Sequence, residues 1–250
     1  MQFSNLSVKR FFKRWALPLL STSLLLFILI KEGYVQMLKD RLLHSAGIEN
    51  EQAYNYNDNE YYQEQTDFYS LYNCQKNIVM LGNSLTFRIH WSELLERQDV
   101  ANRGIGSDIT AGFLHRLQSI VAVNPKICFI EGGLNDVFHG IPVDSSLTNL
   151  SRLADSLQRY GIKVSISTVT YIAPFHKKAR KYNPVIKKLN EGILVLVREK
   201  NLYLIDLNPS IAENDQLKSE YVLKDGVHLT SKAYRIWKLQ VENILKKENI

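Results

Sequence analysis

Four polar side chains in this sequence are of the types that acyl transfer requires. Ser84 follows an apolar run in "VMLGNSLT", and Asn135 lies in "GGLND". Asp225 and His228 lie three residues apart in "KDGVHLT". Each residue alone has an ordinary structural interpretation, because Gly-x-Ser, Asn and Asp-Gly are all common at turns. Their occurrence together in one domain favours a catalytic interpretation.

These residue types suit nucleophilic catalysis by a serine. A serine hydroxyl is a weak nucleophile until a neighbouring base takes its proton, and histidine suits that role near neutral pH. The imidazole needs a carboxylate on its other nitrogen, and one tight turn can present both Asp225 and His228. The oxyanion of the tetrahedral intermediate needs donors: the side chain of Asn135 and the backbone N–H groups near Ser84 and Ser107 are candidates. This chemistry requires no metal and no organic cofactor.

The elements that would position these residues alternate along the chain from residue 77 onward. Short apolar runs occur at "NIVML", "DVANR", "KICFIE", "KVSIST" and "LYLID". Between Asp144 and Gly161, leucines recur three or four residues apart, and a similar stripe follows Thr110. Alternating strands and helices with short links predict a parallel sheet that is covered by helices on both faces. Sites in such sheets lie beyond the carboxyl ends of the strands, where the candidate residues are expected to meet.

Four blocks carry a resemblance to a known family. They are "LGNSLT" with "HWSELL", "NRGIGSDITAGFLHRL", "GGLND" and "DGVHLTSKAYRIW", in this order. From about Tyr61 to the last helix the sequence resembles the SGNH or GDSL-type hydrolases, and it is similar to lysophospholipase-like acylhydrolases and platelet-activating-factor acetylhydrolase catalytic subunits. The resemblance implies a three-layer α/β/α, flavodoxin-like domain with a five-stranded parallel sheet.

The resemblance also implies a role for each candidate residue. Ser84 would be the nucleophile, His228 the base, Asp225 the carboxylate that orients the base, and Asn135 an oxyanion donor. The family motif usually also contributes backbone N–H groups, which correspond here to Ser84 and Ser107.

Two positions depart from the family pattern. Asn83 precedes the serine where the family usually has aspartate, and Asn can keep the hydrogen bonds of the local turn. Ser107 stands where the family usually has a glycine. A backbone donor survives that change, provided that the serine adopts the required backbone angles.

The N-terminal region has the pattern of a membrane anchor. Residues 15–30, "WALPLLSTSLLLFILI", carry no charge, and basic residues precede them. With its flanking residues, this span predicts a transmembrane signal anchor at 15–35. The basic segment 1–14 would stay in the cytoplasm and the rest would lie outside it, in the periplasm or at the cell surface. A cleaved signal peptide is the alternative, although no A-x-A-like site follows.

Residues 36–75 differ in composition from the remainder of the chain. They are acidic and rich in Asn, Gln and Tyr, which predicts a polar spacer before a hydrolase domain at 76–250. The tyrosines near its end could form a short helix that packs on the domain.

Composition excludes several other classes. The chain has 250 residues, 45% of them hydrophobic, and a formal net charge of +6. No nucleic-acid-binding motif accompanies this charge, and the run "HKKARKY" is interpreted as a solvated face, with contact to an acidic partner as the alternative. The segment "RGIGSDITAG" lacks the third glycine of a dinucleotide-binding motif. Cys74 and Cys128 match no metal pattern, Cys128 is expected to be buried, and their pairing is left open.

The sequence therefore predicts a membrane-tethered serine esterase. Its expected substrate is a small acyl ester, an acetyl ester above all, of a carbohydrate or a lipid. The alternative is a catalytically silent module on the same fold that binds a glycan or a lipid. Trp91, His90 and the "FHG" at 138–140 are candidates either for the pocket wall or for packing. Neither the substrate-binding residues nor the oligomeric state can be assigned from the sequence.

Overall fold

The computed structural model describes residues 54–250. The predicted basic segment 1–14, the signal anchor 15–35 and residues 36–53 of the predicted spacer lie outside these residues. Within residues 54–250, no helix is long and apolar enough to cross a membrane.

A five-stranded sheet forms the centre of the described domain. All neighbouring strands in it are parallel, and their order is β2-β1-β3-β4-β5. The strands are β1 (Ile78–Gly82), β2 (Val100–Gly104), β3 (Ile127–Glu131), β4 (Lys163–Ser167) and β5 (Tyr203–Ile205). The predicted three-layer α/β/α architecture with a five-stranded parallel sheet is confirmed.

Ten α-helices occur among residues 54–250, and seven of them lie between successive strands of the sheet. They are α1 (Glu60–Leu71), α2 (Ser84–Phe87), α3 (Trp91–Leu94), α4 (Thr110–His115), α5 (Gln118–Val121), α6 (Leu134–Phe138), α7 (Val143–Arg159), α8 (Ala179–Glu199), α9 (Asn208–Ile211) and α10 (Ser231–Glu248). Short 3₁₀ turns lie at Tyr56–Asp58 and Ser219–Tyr221, and a small hairpin pairs β6 (Ala212–Glu213) with β7 (Gln216–Leu217).

The sheet separates two hydrophobic cores, because successive side chains of a strand point to opposite faces. On β1, Val79 and Leu81 join the core that α4, α7 and α8 cover. Ile78 and Met80 join the opposite core, which α3, α9 and α10 cover. Every residue of β1 is buried, as expected for a central strand between two helical layers.

The topology creates a crevice next to β1. The chain passes from β1 to the edge strand β2 and then returns to β3 on the other side of β1. Connections therefore diverge from the carboxyl ends of β1 and β3, which is where open α/β sheets form their binding sites. Ser84 follows β1 and Asn135 follows β3, so both predicted residues lie at this switch point.

The tyrosine-rich end of the predicted spacer forms α1, which packs on the domain as the sequence suggested. Tyr62 and Tyr69 are 1% and 4% exposed. The Tyr69 ring lies 4.8 Å from the guanidinium of Arg103, which also donates to the carbonyl of Tyr72 at 2.9 Å. These contacts attach α1 to the end of the edge strand β2.

The two cysteines are not paired. Cys128 lies in β3 with 0% exposure, as predicted, whereas Cys74 is exposed.

Candidate active site

A tight turn between β1 and α2 presents Ser84. Asn83 caps the short helix, because its side-chain oxygen accepts from Leu85 N at 2.9 Å. Gly82 is required just before it, since a Cβ there would lie 2.1 Å from Oγ1 of Thr86. The Ser84 side chain is therefore held at the sheet edge by backbone geometry, and it is half-buried.

A buried glutamate explains the departure at Asn83. The Asn83 amide donates to Oε1 of Glu131 at 3.2 Å, and Oγ1 of Thr86 lies 3.5 Å from Oε2. Burial raises the pKa of Glu131 to about 7, although the hydrogen bonds from Asn83 and Thr86 act in the opposite direction. An aspartate at position 83 would bring a second carboxylate against Glu131, whereas the amide supplies a donor. In this chain the carboxyl group at the turn therefore belongs to Glu131 at the end of β3, and the residue before the serine is its hydrogen-bond donor.

Asp225 and His228 are far from Ser84 in sequence but lie next to it in the folded domain. His228 Nδ1 lies 2.7 Å from Oδ2 of Asp225, and its Nε2 lies 3.0 Å from Oγ of Ser84. An ionised carboxylate can only accept a hydrogen bond, so the Nδ1 position carries the proton and Nε2 is free to accept the serine proton. The structure brings together all three residues of the predicted triad.

The turn that carries this pair is constrained on several sides. Oδ1 of Asp225 accepts from the backbone N–H groups of Val227 and His228, each at 2.9 Å. Burial acts to raise the pKa of Asp225, but these two N–H groups and the imidazole together hold it below its ordinary value. Gly226 has φ +76°, and its carbonyl accepts from Ala173 N at 2.8 Å. The carboxylate therefore stays ionised and correctly placed for the imidazole.

The candidate oxyanion donors lie beyond β2 and β3. Ser107 lies in the loop between β2 and α4 with φ +59°, so a serine does adopt a left-handed conformation at this position. Asn135 is on α6, and one of its amide N–H groups donates to the carbonyl of Asp108 at 2.9 Å. The second N–H of that amide remains available. Within residues 54–250 the backbone N–H groups of Ser84 and Ser107 have no acceptor, as expected of donors kept for a ligand.

Two buried carboxylates stabilise the loop between β2 and α4. Asp136 accepts from Thr110 N at 3.1 Å, from Thr110 Oγ1 at 2.5 Å and from Ser146 Oγ at 3.0 Å. Asp108 forms a buried ion pair with Arg116 at 2.9 Å. Burial raises the pKa of Asp108 to about 6, and the Arg116 guanidinium opposes that rise. Burial also raises the pKa of Asp136, and hydrogen bonds from Thr110 and Ser146 act in the opposite direction. These groups join the loop to its neighbours, and within residues 54–250 none of them forms a hydrogen bond with Ser84 or His228.

Sequence reasoning missed these supporting groups. Glu131, Asp108, Arg116 and Asp136 are each less than 5% exposed, although all four are charged residue types. A signal was present for Glu131, since a carboxylate ends the apolar run "KICFIE". Charged residues are almost never fully buried without partners, so this position indicates a hidden hydrogen-bonding partner.

The residues that the sequence suggested for the pocket wall differ in their exposure to solvent. Trp91 is 1% exposed and donates from Nε1 to the carbonyl of Thr86 at 2.9 Å, which makes it a packing residue. The side chain of His90 is 80% exposed. His139 is exposed at the surface, where its ring stacks on that of Tyr54 at 3.5 Å.

A family model supports the predicted class of protein. The model of the GDSL-like lipase/acylhydrolase family matches residues 80–236, more than half of the chain. The chain belongs to this family. The match includes Ser84, Asn135, Asp225 and His228, and it places the chain among the GDSL-type carboxylic ester hydrolases.

Curated relatives are about a quarter identical to this chain over roughly two thirds of its length. N-acylneuraminate cytidylyltransferase of Streptococcus agalactiae (serotype III strain NEM316) is 24% identical over 163 residues, which cover 65% of this chain. The chain spans only 37% of the length of that relative. Platelet-activating factor acetylhydrolase IB subunit alpha1 of Rattus norvegicus is 24% identical over 170 residues, or 64% of this chain and 71% of the relative.

Solved GDSL structures share the fold. A GDSL-like lipase from Bacteroides thetaiotaomicron VPI-5482 superimposes with a TM-score of 0.66 at 22% identity, covering 75% of this chain and 98% of its own. This likeness extends over almost the whole of the bacterial lipase.

Proposed function

We propose that the protein is a membrane-tethered serine esterase that hydrolyses small acyl esters, above all acetyl esters, of a carbohydrate or a lipid. The observation that carries the proposal is the hydrogen-bonded series from Ser84 Oγ through His228 to Asp225, at 3.0 and 2.7 Å. A serine, a base and an orienting carboxylate in this order are the parts that acyl transfer by a serine requires.

The proposed reaction begins at Ser84. His228 Nε2 takes the hydroxyl proton as Oγ attacks the ester carbonyl carbon, and Asp225 stabilises the imidazolium that forms. The backbone N–H groups of Ser84 and Ser107 and the amide of Asn135 donate to the oxyanion. The intermediate collapses as the imidazolium gives its proton to the leaving alcohol. Water then repeats the sequence on the acyl-enzyme and releases the acid.

The substrate class rests on family membership and on the relatives. An acetylhydrolase subunit is among the relatives, at 24% identity over 170 residues. An acetyl group requires little space beyond the oxyanion donors, and the turn carrying Asp225 and His228 leaves the imidazole 25% exposed to solvent. An alcohol leaving group of varied size, sugar or lipid, can approach from that open side.

Colour release from p-nitrophenyl acetate tests the proposal. Wild-type protein should release p-nitrophenol, and Ser84→Ala should reduce the rate to near that of the uncatalysed reaction. Ser92→Ala is a matched control, because it removes the same hydroxyl from a residue outside the site. Equal activity of wild type and Ser84→Ala would refute the serine mechanism. A screen of acetylated sugars and of esters of increasing acyl length would then define the substrate.

A silent binding module is the alternative function. It would bind an acetylated glycan or a lysolipid without turnover, and Ser84→Ala would leave that binding unchanged. The aligned Ser84, His228 and Asp225 favour an enzyme, since binding alone does not require a base on the serine.

The proposed location follows from the uncharged run at 15–30 within the predicted signal anchor 15–35, and from the basic residues before it. The domain at 76–250 would lie outside the cytoplasm and stay attached to the membrane. Protease added to intact cells with a permeable outer envelope should digest it and leave a cytoplasmic marker intact. Protection of both proteins would contradict this topology.

A further inference from the structure

The peptide group between Gly106 and Ser107 is held by a single side chain. Asn59 Nδ2 donates to the carbonyl of Gly106 at 2.7 Å. Among residues 54–250, this is the only hydrogen bond that the peptide group makes. Side-chain packing adds little support, because Ser107 is exposed and a Cβ added at Gly106 would meet nothing within 4 Å.

This peptide group is the centre of a β-turn. Asp108 N donates to the carbonyl of Ile105 at 3.3 Å, which makes Gly106 and Ser107 the two central residues. Ser107 has φ +59°, whereas Gly106 is not among the residues with positive φ. A positive φ at the second central residue alone is the mark of a type II turn.

The local sequence opposes this turn type. A type II turn prefers glycine at its second central position, but here glycine is first and serine is second. A type I turn would relieve the left-handed serine, and it differs from type II by a flip of the central peptide group. Because a peptide is planar and trans, its C=O and N–H point in opposite directions and reverse together. The bond from Asn59 to the Gly106 carbonyl therefore determines which way the Ser107 N–H points.

We infer that Asn59 is a positioning residue that aims the Ser107 N–H into the oxyanion hole by selecting the type II turn. This inference rests on the proposed esterase function. Asn59 lies outside the residues that the family model matches, 80–236, so this support comes from the segment before the shared domain.

Helix α1 is attached so that Asn59 reaches the loop. Asn59 is 8% exposed and caps α1, with its side-chain oxygen accepting from Tyr61 N at 3.2 Å. The same amide thus links the helix to the turn. Tyr62 OH donates to the carbonyl of Gly112 at 2.8 Å, and Tyr69 OH donates to that of Gly104. The two tyrosines hold α1 at both ends of the loop that contains the turn.

The test removes the side-chain donor of Asn59 and keeps a residue that caps α1. In Asn59→Ser, serine still caps α1 but is too short to reach the carbonyl of Gly106. We expect kcat for p-nitrophenyl acetate to fall about 5- to 30-fold with KM unchanged. That range is the population ratio that corresponds to the usual ~1–2 kcal/mol cost of a left-handed non-glycine residue. The affinity for a trifluoromethyl ketone, whose serine adduct carries an oxyanion, should fall by the same factor. Asn55→Ser is the matched control, because Asn55 caps the exposed 3₁₀ turn before α1.

A second substitution distinguishes a change in the orientation of the Ser107 N–H from a general loss of local structure. Ser107→Gly makes the type II turn locally favourable, so Asn59→Ser combined with Ser107→Gly should regain kcat to within about threefold of wild type. Wild-type kcat in Asn59→Ser would overturn the inference, as would a loss that Ser107→Gly leaves unrescued or a change confined to KM. If the Ser84→Ala protein were as active as wild type, the esterase proposal itself would fail, which is a different result.

Discussion

Glu131, which contacts the turn before Ser84, should make the free energy of unfolding depend on pH. Its side chain is 4% exposed, and burial raises its pKa from 4.5 to about 7. Since the folded-state pKa is above the unfolded value, the unfolded chain ionises first as pH rises. The free energy of unfolding therefore decreases between about pH 4.5 and 7 and then levels off. With these two pKa values, the loss between pH 5 and pH 8 is about 2–3 kcal/mol.

Glu131→Gln removes this titration and keeps the shape of the side chain. The glutamine oxygen can accept from the Asn83 amide, and its nitrogen can donate to Oγ1 of Thr86. Relative to wild type, the variant should therefore become more stable as pH rises, by about 2–3 kcal/mol from pH 5 to pH 8. For a domain of this size that corresponds to about 5–10 °C in Tm.

Thermal unfolding of both proteins at pH 5, 6, 7 and 8 measures this difference. Other titrating groups affect both proteins alike and cancel in the comparison. Glu199→Gln, on an exposed position at the end of α8, is the matched control, and its difference from wild type should be nearly constant. A constant difference for Glu131→Gln as well would refute the argument from burial, because it would mean that Glu131 titrates as it does in the unfolded chain.

The remaining predictions concern the site itself. Asn135→Ala should lower kcat by about 10²–10³ with little change in KM, as steady-state kinetics would show, because the donor acts mainly in the transition state; a raised KM alone would make Asn135 a substrate-binding residue. Ser84→Ala and His228→Ala should each abolish most activity, and the double variant should be hardly worse than either, since the pair acts as one proton-transfer unit. Additive losses in the double variant would contradict this prediction. Asp225→Ala should cost less, because its role is to hold the tautomer and stabilise the imidazolium. Ser107→Gly alone should keep activity and raise the free energy of unfolding by about 0.5–1 kcal/mol, since the left-handed cost of serine exceeds the chain entropy that glycine adds; a denaturant midpoint below that of wild type would contradict this.

The sequence by itself was sufficient to predict the three-layer architecture and the candidate catalytic residues. Both depend on local patterns: apolar runs at strand spacing, leucines at helical spacing, and polar residues directly after the runs. Because parallel strands end at one edge, the order of motifs alone predicts that Ser84, Asn135 and His228 converge. The structure brings Ser84 and His228 within 3.0 Å across 144 positions of sequence.

Tertiary structure alone decided the polar pairs that support the site. Nothing local to Asn83 indicates that its partner is Glu131, 48 positions away, or that Asn59 reaches Gly106, 47 positions away. Such pairs depend on strand order and on how a helix is docked, and neither property is contained in a residue's own neighbourhood. The turn at Ser107 is the clearest case, because its local sequence prefers one conformation and a distant amide selects the other. The two orientations of this planar peptide differ by only ~1–2 kcal/mol, so one part-buried hydrogen bond is sufficient to decide between them.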